Sequence, residues 1–171
     1  KINIMGNDSF DNSIILSKIK SKTKTITNIL ANNNFKLFES NNDIIRIKKF
    51  YKSQGFKDIN VDFNVEYFSN NKVEINFILN EGNKYYFSNI NIKNNLDKNN
   101  ELDNKLELLL QKNTSYINDI YYSGKIDEIE YDISEILENS GIQYFEITAF
   151  EKINNYKADI LFEISSTKPV Y

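Results

Sequence analysis

The sequence predicts an α+β protein made of two tandem units, and three observations predict it. Apolar and polar residues alternate in several short segments, as in half-buried strands. Other segments carry apolar residues at helical spacing. The order strand, helix, helix, strand, strand occurs twice, with Gly141 standing 86 positions after Gly55 and Phe162 standing 85 after Phe77. This offset indicates an internal repeat, each half of which could form a small sheet with two helices on one face.

The first unit is predicted to open with a strand and two helices. The strand contains Ile2 and Ile4 and breaks at Gly6-Asn7. Asp11 is a candidate N-cap for the first helix, Asp43 and the two asparagines before it are candidates for the second, and Gly55 is a typical helix end. Apolar residues at helical spacing mark the two helices: Ile15 and Ile19, then Ile44, Ile47 and Tyr51.

A hairpin follows, and its first strand, Asp58–Tyr67, alternates strictly. One face is apolar: Ile59, Val61, Phe63, Val65 and Tyr67. The other is polar: Asn60, Asp62, Asn64 and Glu66. Ser69-Asn70-Asn71 predicts the turn, and the alternation resumes in a returning strand: Val73, Ile75, Phe77 and Leu79. Glu81-Gly82-Asn83 ends the hairpin. The unit boundary is predicted at these residues, which gives two units, 1–82 and 83–171.

The second unit repeats this order. A strand is predicted because four residues alternate with Phe87, Asn89 and Asn91: Tyr86, Ser88, Ile90 and Ile92. Two helical stripes follow: Leu102, Leu106, Leu109 and Leu110, then Ile126, Ile129, Ile133, Ile136 and Leu137. Gly141 ends the second helix, and Asn154-Asn155 is predicted to turn a last hairpin with two alternating strands: Phe145, Ile147 and Ala149, then Ala158, Ile160, Phe162 and Ile164.

The composition excludes several classes of function. Of 171 residues, 40% are hydrophobic and 26% charged, which predicts a folded chain. The net charge of −3 offers no basic surface for phosphates, so nucleic acid is not an expected partner. With no Cys and no His, the chain lacks disulfides, thiolate nucleophiles, Cys/His zinc sites and histidine acid–base chemistry. No apolar run approaches the roughly 20 residues of a membrane span. Because no targeting segment precedes Lys1, an internal piece of a longer protein is expected.

Two residue groups have a functional and a structural interpretation. Carboxylates crowd one predicted helix and could do acid–base or metal chemistry: Asp127, Glu128, Glu130, Asp132 and Glu135. They occupy positions between the isoleucines of the apolar stripe, and this pattern favours a solvated helix face. The many Tyr and Phe residues could stack on bases or sugars, but most occupy core-facing positions. Tyr85, Tyr86, Tyr121 and Tyr122, near element ends, are interpreted as packing residues, and Asp43 and Asp119 as helix starts.

The first unit resembles the POTRA repeat, the βααββ module that precedes the barrel in BamA and its relatives. Three marks carry the resemblance: Ile4-Met5-Gly6-Asn7, a helix over 43–56 ending in Tyr-x-x-x-Gly-aromatic, and a last strand closing on Glu81-Gly82. The second unit departs from the pattern at Asn94-Asn95, at Ile142 after Gly141 and at Ser166-Thr167. The resemblance implies two tandem modules, each a three-stranded mixed sheet with two helices on one face. The long connection before Asp43 is similar to the third repeat of BamA, with the fourth following.

The resemblance also implies a location and a role. Such modules lie in the periplasm, bind accessory lipoproteins and guide unfolded outer-membrane proteins to the barrel, without cofactor or catalysis. It places the strand Asp58–Tyr67 outermost, where it could pair with an extended chain; its polar residues could equally protect an exposed edge from aggregation. Gly82 within Glu81-Gly82-Asn83 is a candidate inter-module hinge, or an ordinary turn.

Three alternatives remain open. A two-partner secretion transporter or a TamA-like factor would carry the same modules. A POTRA-bearing cell-division protein is a structural component with a single module. A carboxylate enzyme such as a glycosidase would need two carboxylates facing each other across a cleft.

Overall fold

The computed structural model describes residues 1–23, 37–68 and 72–167. They fall into two compact units, Lys1–Asn83 and Lys84–Tyr171. The first contains β1 (Ile2–Met5), α1 (Asn12–Lys18), α2 (Leu37–Ser53), β2 (Asn60–Phe68) and β3 (Lys72–Asn80). The second contains β4 (Tyr86–Asn94), α3 (Asn100–Thr114), α4 (Ser123–Asn139), β5 (Phe145–Asn154) and β6 (Lys157–Ser166). The predicted α+β fold with its repeated element order is confirmed.

Each unit has a three-stranded mixed sheet whose last strand lies in the middle. In the first unit the strand order is β1-β3-β2, with β1 parallel and β2 antiparallel to β3. In the second it is β4-β6-β5, with the same directions. The first and second strands of each unit are therefore at the edges of its sheet.

The predicted apolar stripes form two separate cores. Ile15, Ile47 and Phe77 are fully buried in the first unit, and Ile133, Leu137 and Phe162 in the second. Burying aliphatic and aromatic side chains contributes about 25 cal/mol per Å² of apolar surface, which is the main stabilisation available to units of this size. Gly55 and Gly141 follow α2 and α4 at positive φ, as predicted for helix ends.

The sequence marks of the first unit meet at one place. Tyr51 packs edge-on against Phe10 and Phe56, at ring-centroid distances of 5.2 Å and 5.5 Å. Its hydroxyl donates to Glu81 Oε1 at 2.8 Å. Glu81 also accepts from Ser9, through the backbone N–H at 3.0 Å and the side-chain Oγ at 2.5 Å. The helix mark, the residues after the Gly-Asn turn and the Glu-Gly pair thus form one contact network.

The same network explains how the second unit departs from the pattern. Phe56 N–H donates to Tyr51 O and Ile142 N–H to Leu137 O, both at 3.1 Å, so Leu137 takes the place of Tyr51. Because Leu137 has no hydroxyl, it could not donate a hydrogen bond to a carboxylate placed as Glu81 is in the first unit. Ser166 stands 85 positions after Glu81, where that carboxylate would lie.

Four local predictions need correction. Asp43 is not a helix start, since it lies inside α2 and is fully buried. Asp119 is not a helix start either, because α4 begins at Ser123 and its N-cap is Tyr122. The last hairpin turns at Asn155-Tyr156, both at positive φ, one residue later than predicted. The predicted turn Ser69-Asn70-Asn71 lies outside the described residues.

The fourth correction concerns β4. A register shift between Phe87 and Asn89 breaks the simple alternation, as a β-bulge does. Phe87 and Ile90 are both buried although three positions apart, whereas Tyr86, predicted to share the face of Ile90, is exposed.

Candidate protein-binding edge strand

Strand β2 contains most of the predicted partner-binding residues. Asn60 to Tyr67 lie within it, while Asp58 and Ile59 precede its first residue. Among the described residues, β3 is the only strand paired with β2. The register joins Val61 to Leu79 and continues without interruption to Phe68 and Lys72. The second edge of β2 is therefore not occupied by any described strand.

The direction of the main-chain groups follows from one hydrogen bond. Ile75 N–H donates to Lys1 O at 2.9 Å, so Ile75 directs its amide and carbonyl towards β1. Successive residues of a strand direct these groups to opposite sides, so Asn76 directs its own towards β2. Asn64, opposite Asn76, is then bonded to β3. By the same alternation, Val61, Phe63 and Val65 direct N–H and C=O away from β3.

The side chains of these three outward-directed residues lie on the helix side of the sheet. Val61 is 1% exposed and belongs to the core, whereas Phe63 and Val65 are half-buried. Phe63 contacts Phe77, with ring centroids 6.0 Å apart. The burial decreases along β2, and Tyr67 is 73% exposed. An incoming strand would therefore find main-chain groups that no described strand pairs, beside partly exposed apolar side chains.

The opposite face of β2 is joined to the rest of the sheet by an asparagine row. Asn3, Asn76 and Asn64 are paired across β1, β3 and β2. Asn3 Nδ2 donates to Asn76 Oδ1 at 2.6 Å, and Asn76 Nδ2 donates to Asn64 Oδ1 at 2.8 Å and Glu66 Oε1 at 3.0 Å. Cross-strand pairs of this kind stabilise one register. This row is not predicted from the sequence pattern, although the three asparagines share a pleat position, which was a usable signal.

The predicted hinge residues lie at the end of the first unit. Glu81 is 9% exposed and is bonded to Ser9 and Tyr51 as described above. Gly82 is so close to Asp58 that an added Cβ would lie 3.3 Å from the Asp58 Cβ. Glu81 and Gly82 are thus held by their own unit, and Asn83 is exposed. A hinge at Glu81-Gly82-Asn83 stays a prediction.

A second buried carboxylate lies in α2. Asp43 accepts from the backbone N–H groups of Lys20 at 2.8 Å and Ser21 at 2.9 Å, and from Arg46 at 2.5 Å. Arg46 also donates to Glu39 at 2.6 Å. These bonds, with Glu39 first and Asp43 second, raise the pKa of the Arg46 guanidinium. The group fixes the chain after α1 against α2, a structural task that explains the burial of Asp43.

The carboxylates of α4 lie on its solvent side. Asp127, Glu128 and Glu135 are exposed, and Glu128 accepts from Lys125 at 2.5 Å. Within 1–23, 37–68 and 72–167, no group of three or more Asp, Glu, His or Cys side chains could hold a metal ion. The predicted solvated helix face describes Asp127, Glu128 and Glu135, whereas Glu130 and Asp132 are half-buried.

The tyrosines named for the second unit divide into two pairs. Tyr85 and Tyr121 are buried, whereas Tyr86 and Tyr122 are exposed. Tyr121 contacts Phe87 at a centroid distance of 5.2 Å. Burial, and to a smaller extent the nearby Glu151, raises the pKa of Tyr121 to about 12. Tyr85 and Tyr121 are therefore core residues.

The sheet order, the two helices on one face and the repeated element order define two tandem units with the POTRA fold. The fold matches POTRA modules 3 to 5 of Haemophilus influenzae BamA, with a TM-score of 0.63 and 16% identity over 98% of this chain and 65% of that one. It also matches POTRA modules 1 and 2 of the periplasmic domain of Omp85 from Anabaena, with a TM-score of 0.55 and 10% identity over 99% and 95%.

In sequence, the chain is similar to the outer membrane protein assembly factor BamA of Buchnera aphidicola. The two are 30% identical over 162 residues, which cover 93% of this chain and 25% of that protein. The chain thus spans about a quarter of the length of this relative. No family model matches the sequence. The resemblance to the POTRA repeats of BamA-like proteins is confirmed. None of the described helices combines the length and apolar character needed to cross a membrane.

Proposed function

We propose that the chain is a periplasmic scaffold within an outer-membrane β-barrel assembly protein and binds partner chains by adding them as a strand beside β2. The partners are accessory lipoproteins of the assembly machine and strands of unfolded outer-membrane proteins. The chain acts by binding, without cofactor or catalysis. Its two units are the third and fourth POTRA modules of the parent.

The edge of β2 that no described strand occupies carries this proposal. Val61, Phe63 and Val65 direct their main-chain groups away from β3, and a main-chain group bonds any extended sequence. Each such hydrogen bond contributes a net of about 0.5–1.5 kcal/mol, so the affinity should be weak and the sequence tolerance broad. These properties suit a site that meets many client strands in turn.

The polar residues of β2 fit both recruitment and protection. Asp62 and Glu66 are exposed, and charged residues on an edge oppose aggregation with other sheets. Asn64 and Glu66 accept from Asn76, which holds β2 at one register and keeps its outer edge in place. A fixed template lowers the ordering cost that an incoming strand must overcome.

The test is an NMR titration of the chain with peptides from the C-terminal strands of outer-membrane proteins and with candidate accessory lipoproteins. The proposal expects shifts concentrated on the amides of Asn60–Phe68. Proline at an outward-directed position removes a donor without breaking the pairing with β3. Val65→Pro is preferable to Val61→Pro, because Val61 is buried and proline there would also disturb packing.

A matched control lies on the second unit. Thr167 N–H donates to Tyr144 O at 3.2 Å, so even-numbered residues of β5 bond to β6 and Ala149 directs its N–H outward. Ala149→Pro should leave binding at β2 unchanged, whereas Val65→Pro should weaken it. Unaltered binding by a folded Val65→Pro variant would contradict edge pairing, and shifts confined to other elements would leave these modules as spacers.

A further inference from the structure

The second unit has a small niche between α3 and β4, which encloses about 160 Å³. Six residues line it: Ile92 and Asn94 from β4, and Asp103, Leu106, Glu107 and Leu110 from α3. The four helix residues are three or four positions apart in turn, so they form one stripe of α3. Ile92 and Leu110 are only partly buried, so the niche presents apolar surface that the core does not cover fully.

The niche has a polar end and an apolar end. Asn94 Nδ2 donates to Asp103 Oδ1 at 2.9 Å, and these two residues form the polar end. Helix α3 begins just after β4 ends and runs back along it. The two leucines of the stripe therefore lie further along, beside Ile92, and Leu110 is about 10 Å from Asp103 along the helix axis. The niche is thus amphipathic along its length.

Two carboxylates determine the charge of the niche. Glu107 is exposed and follows Asp103 by four positions, so their Cβ atoms lie about 5–6 Å apart. Glu107 Oε1 accepts from Gln111 at 3.4 Å, a long bond, and an ionised carboxylate has about four acceptor positions. None of the six lining residues is a cation, and the lysine between the two carboxylates in sequence, Lys105, is paired with Glu101 at 2.7 Å. The niche therefore favours a cation that can donate to both carboxylates.

A lysine side chain matches the niche in size, shape and charge. A volume of about 160 Å³ is the share of about five liquid water molecules, and a lysine side chain has about as many non-hydrogen atoms. Its aliphatic stem can lie on apolar surface while the ammonium stays with polar groups. The ammonium is a compact charge with three donors, which suits two carboxylates one helical turn apart, whereas the planar fork of arginine suits bidentate pairing with one carboxylate.

We infer that the niche between α3 and β4 is a docking site for one lysine side chain that protrudes from a partner protein. The lysine stem lies against Ile92 and Leu110, and its ammonium donates to Asp103 and Glu107. The contact is made by side chains and requires no main-chain pairing. It is therefore independent of the strand addition proposed for β2, and each of the two proposals can fail without the other.

The probe is Nα-acetyl-lysine amide, and its control is Nα-acetyl-norleucine amide, which has the same stem without the ammonium. In a methyl-resolved NMR titration of the whole chain at low salt, the lysine derivative should bind with a Kd of about 1 mM, as expected for a ligand of this size. The shifts should centre on the methyl groups of Ile92, Leu106 and Leu110. The norleucine derivative should bind at least about tenfold more weakly, because it forms no charge-assisted hydrogen bond.

Three results would overturn the inference. One is equal binding of the two derivatives. Another is the absence of saturable shifts at these methyl groups when the lysine derivative reaches about ten times the expected Kd. The third concerns the source of the ammonium: if the diamine cadaverine bound more than about tenfold more tightly than the lysine derivative, the niche would belong to a free amine and not to a partner protein.

Matched amide variants separate the niche from unspecific attraction to an acidic chain. Glu107→Gln removes one charge and should weaken the lysine derivative about two- to fivefold at low salt. Asp103→Asn keeps an oxygen that can accept from Asn94 and should have an effect of about the same size. Glu135→Gln makes the same change on the exposed face of α4 and should alter the Kd by less than about 1.5-fold.

Equal losses with Glu107→Gln and Glu135→Gln would show that net charge alone attracts the probe, against the inference. Neither niche variant should change the binding of strand peptides at β2. A loss at β2 in a folded Glu107→Gln variant would contradict the independence of the two sites.

Discussion

Replacing Glu81 by alanine should destabilise the first unit and leave the second unchanged. The carboxylate accepts from Tyr51 Oη at 2.8 Å, Ser9 N at 3.0 Å and Ser9 Oγ at 2.5 Å. Tyr51 is fully buried, so its hydroxyl would lose its acceptor in a buried site. Ser9 is exposed, and water would replace its two bonds.

The magnitude follows from these two environments. A buried donor left without an acceptor costs about 1–3 kcal/mol, and each exposed bond contributes a net of about 0.5–1 kcal/mol. The expected loss for Glu81→Ala is therefore about 2–5 kcal/mol in the free energy of unfolding. Tyr51→Phe removes only the buried donor and Ser9→Ala only one exposed bond, so both should cost less, about 0.5–1.5 kcal/mol each.

The assay is urea unfolding followed by residue-resolved NMR, with methyl signals of Ile47 reporting on the first unit and of Ile133 on the second. Burial, and then the bond to Glu81, raises the pKa of Tyr51. In a folded Glu81→Ala variant that pKa should move back down. An exposed control, Glu135→Ala, should stay within about 0.5 kcal/mol. A loss no larger than that of Ser9→Ala, or equal losses in both units, would refute this account of the network.

Three further outcomes are expected. Gly6→Ala should cost about 2–4 kcal/mol, because Gly6 has φ +77° and an added Cβ would collide with the Leu79 carbonyl oxygen; urea unfolding measures it, with Ser13→Ala as a mild comparison. Asp43→Asn should speed amide exchange at Lys20 and Ser21, because the carboxylate accepts hydrogen bonds from both N–H groups. Unchanged exchange would contradict the role of Asp43 in fixing the chain after α1. The second unit should lose stability in alkali: the pKa of Tyr121 is raised to about 12 from 10.0, so its contribution is present below pH 10 and is lost as the pH rises towards 12. Tyr121→Phe should flatten that dependence, as followed by tyrosinate absorbance and unfolding free energy.

The sequence by itself determined the element order and the cores. Alternation and helical stripes depend on which face of an element is buried, and each element carries that information in its own residues. The strands of both hairpins, and the ends of α2 and α4 shortly before Gly55 and Gly141, were therefore predictable. The Glu-Gly and Tyr-x-x-x-Gly marks identified the module, although nothing in them revealed that Tyr51 donates to Glu81.

Only the tertiary structure decided the features that depend on residues distant in sequence. Asp43 resembles an N-cap in the sequence, but Lys20, Ser21 and Arg46 surround its carboxylate and allow it to lie buried inside α2. The bulge in β4 interrupts an alternation that looked regular, because the pairing of β4 with the distant strand β6 shifts its register between Phe87 and Asn89. Hydrogen bonds and burial between distant segments override local preference because an unpaired buried polar group costs more than a lost cap.

For the candidate binding strand β2, too, the sequence determined one part and the tertiary structure the other. The apolar and polar faces of β2 were readable from its alternation, because side chains at successive positions point to opposite sides. Which of its main-chain groups face outward was not, since that follows from the pairing of β3 with β1, between residues such as Ile75 and Lys1 that are far apart in the chain.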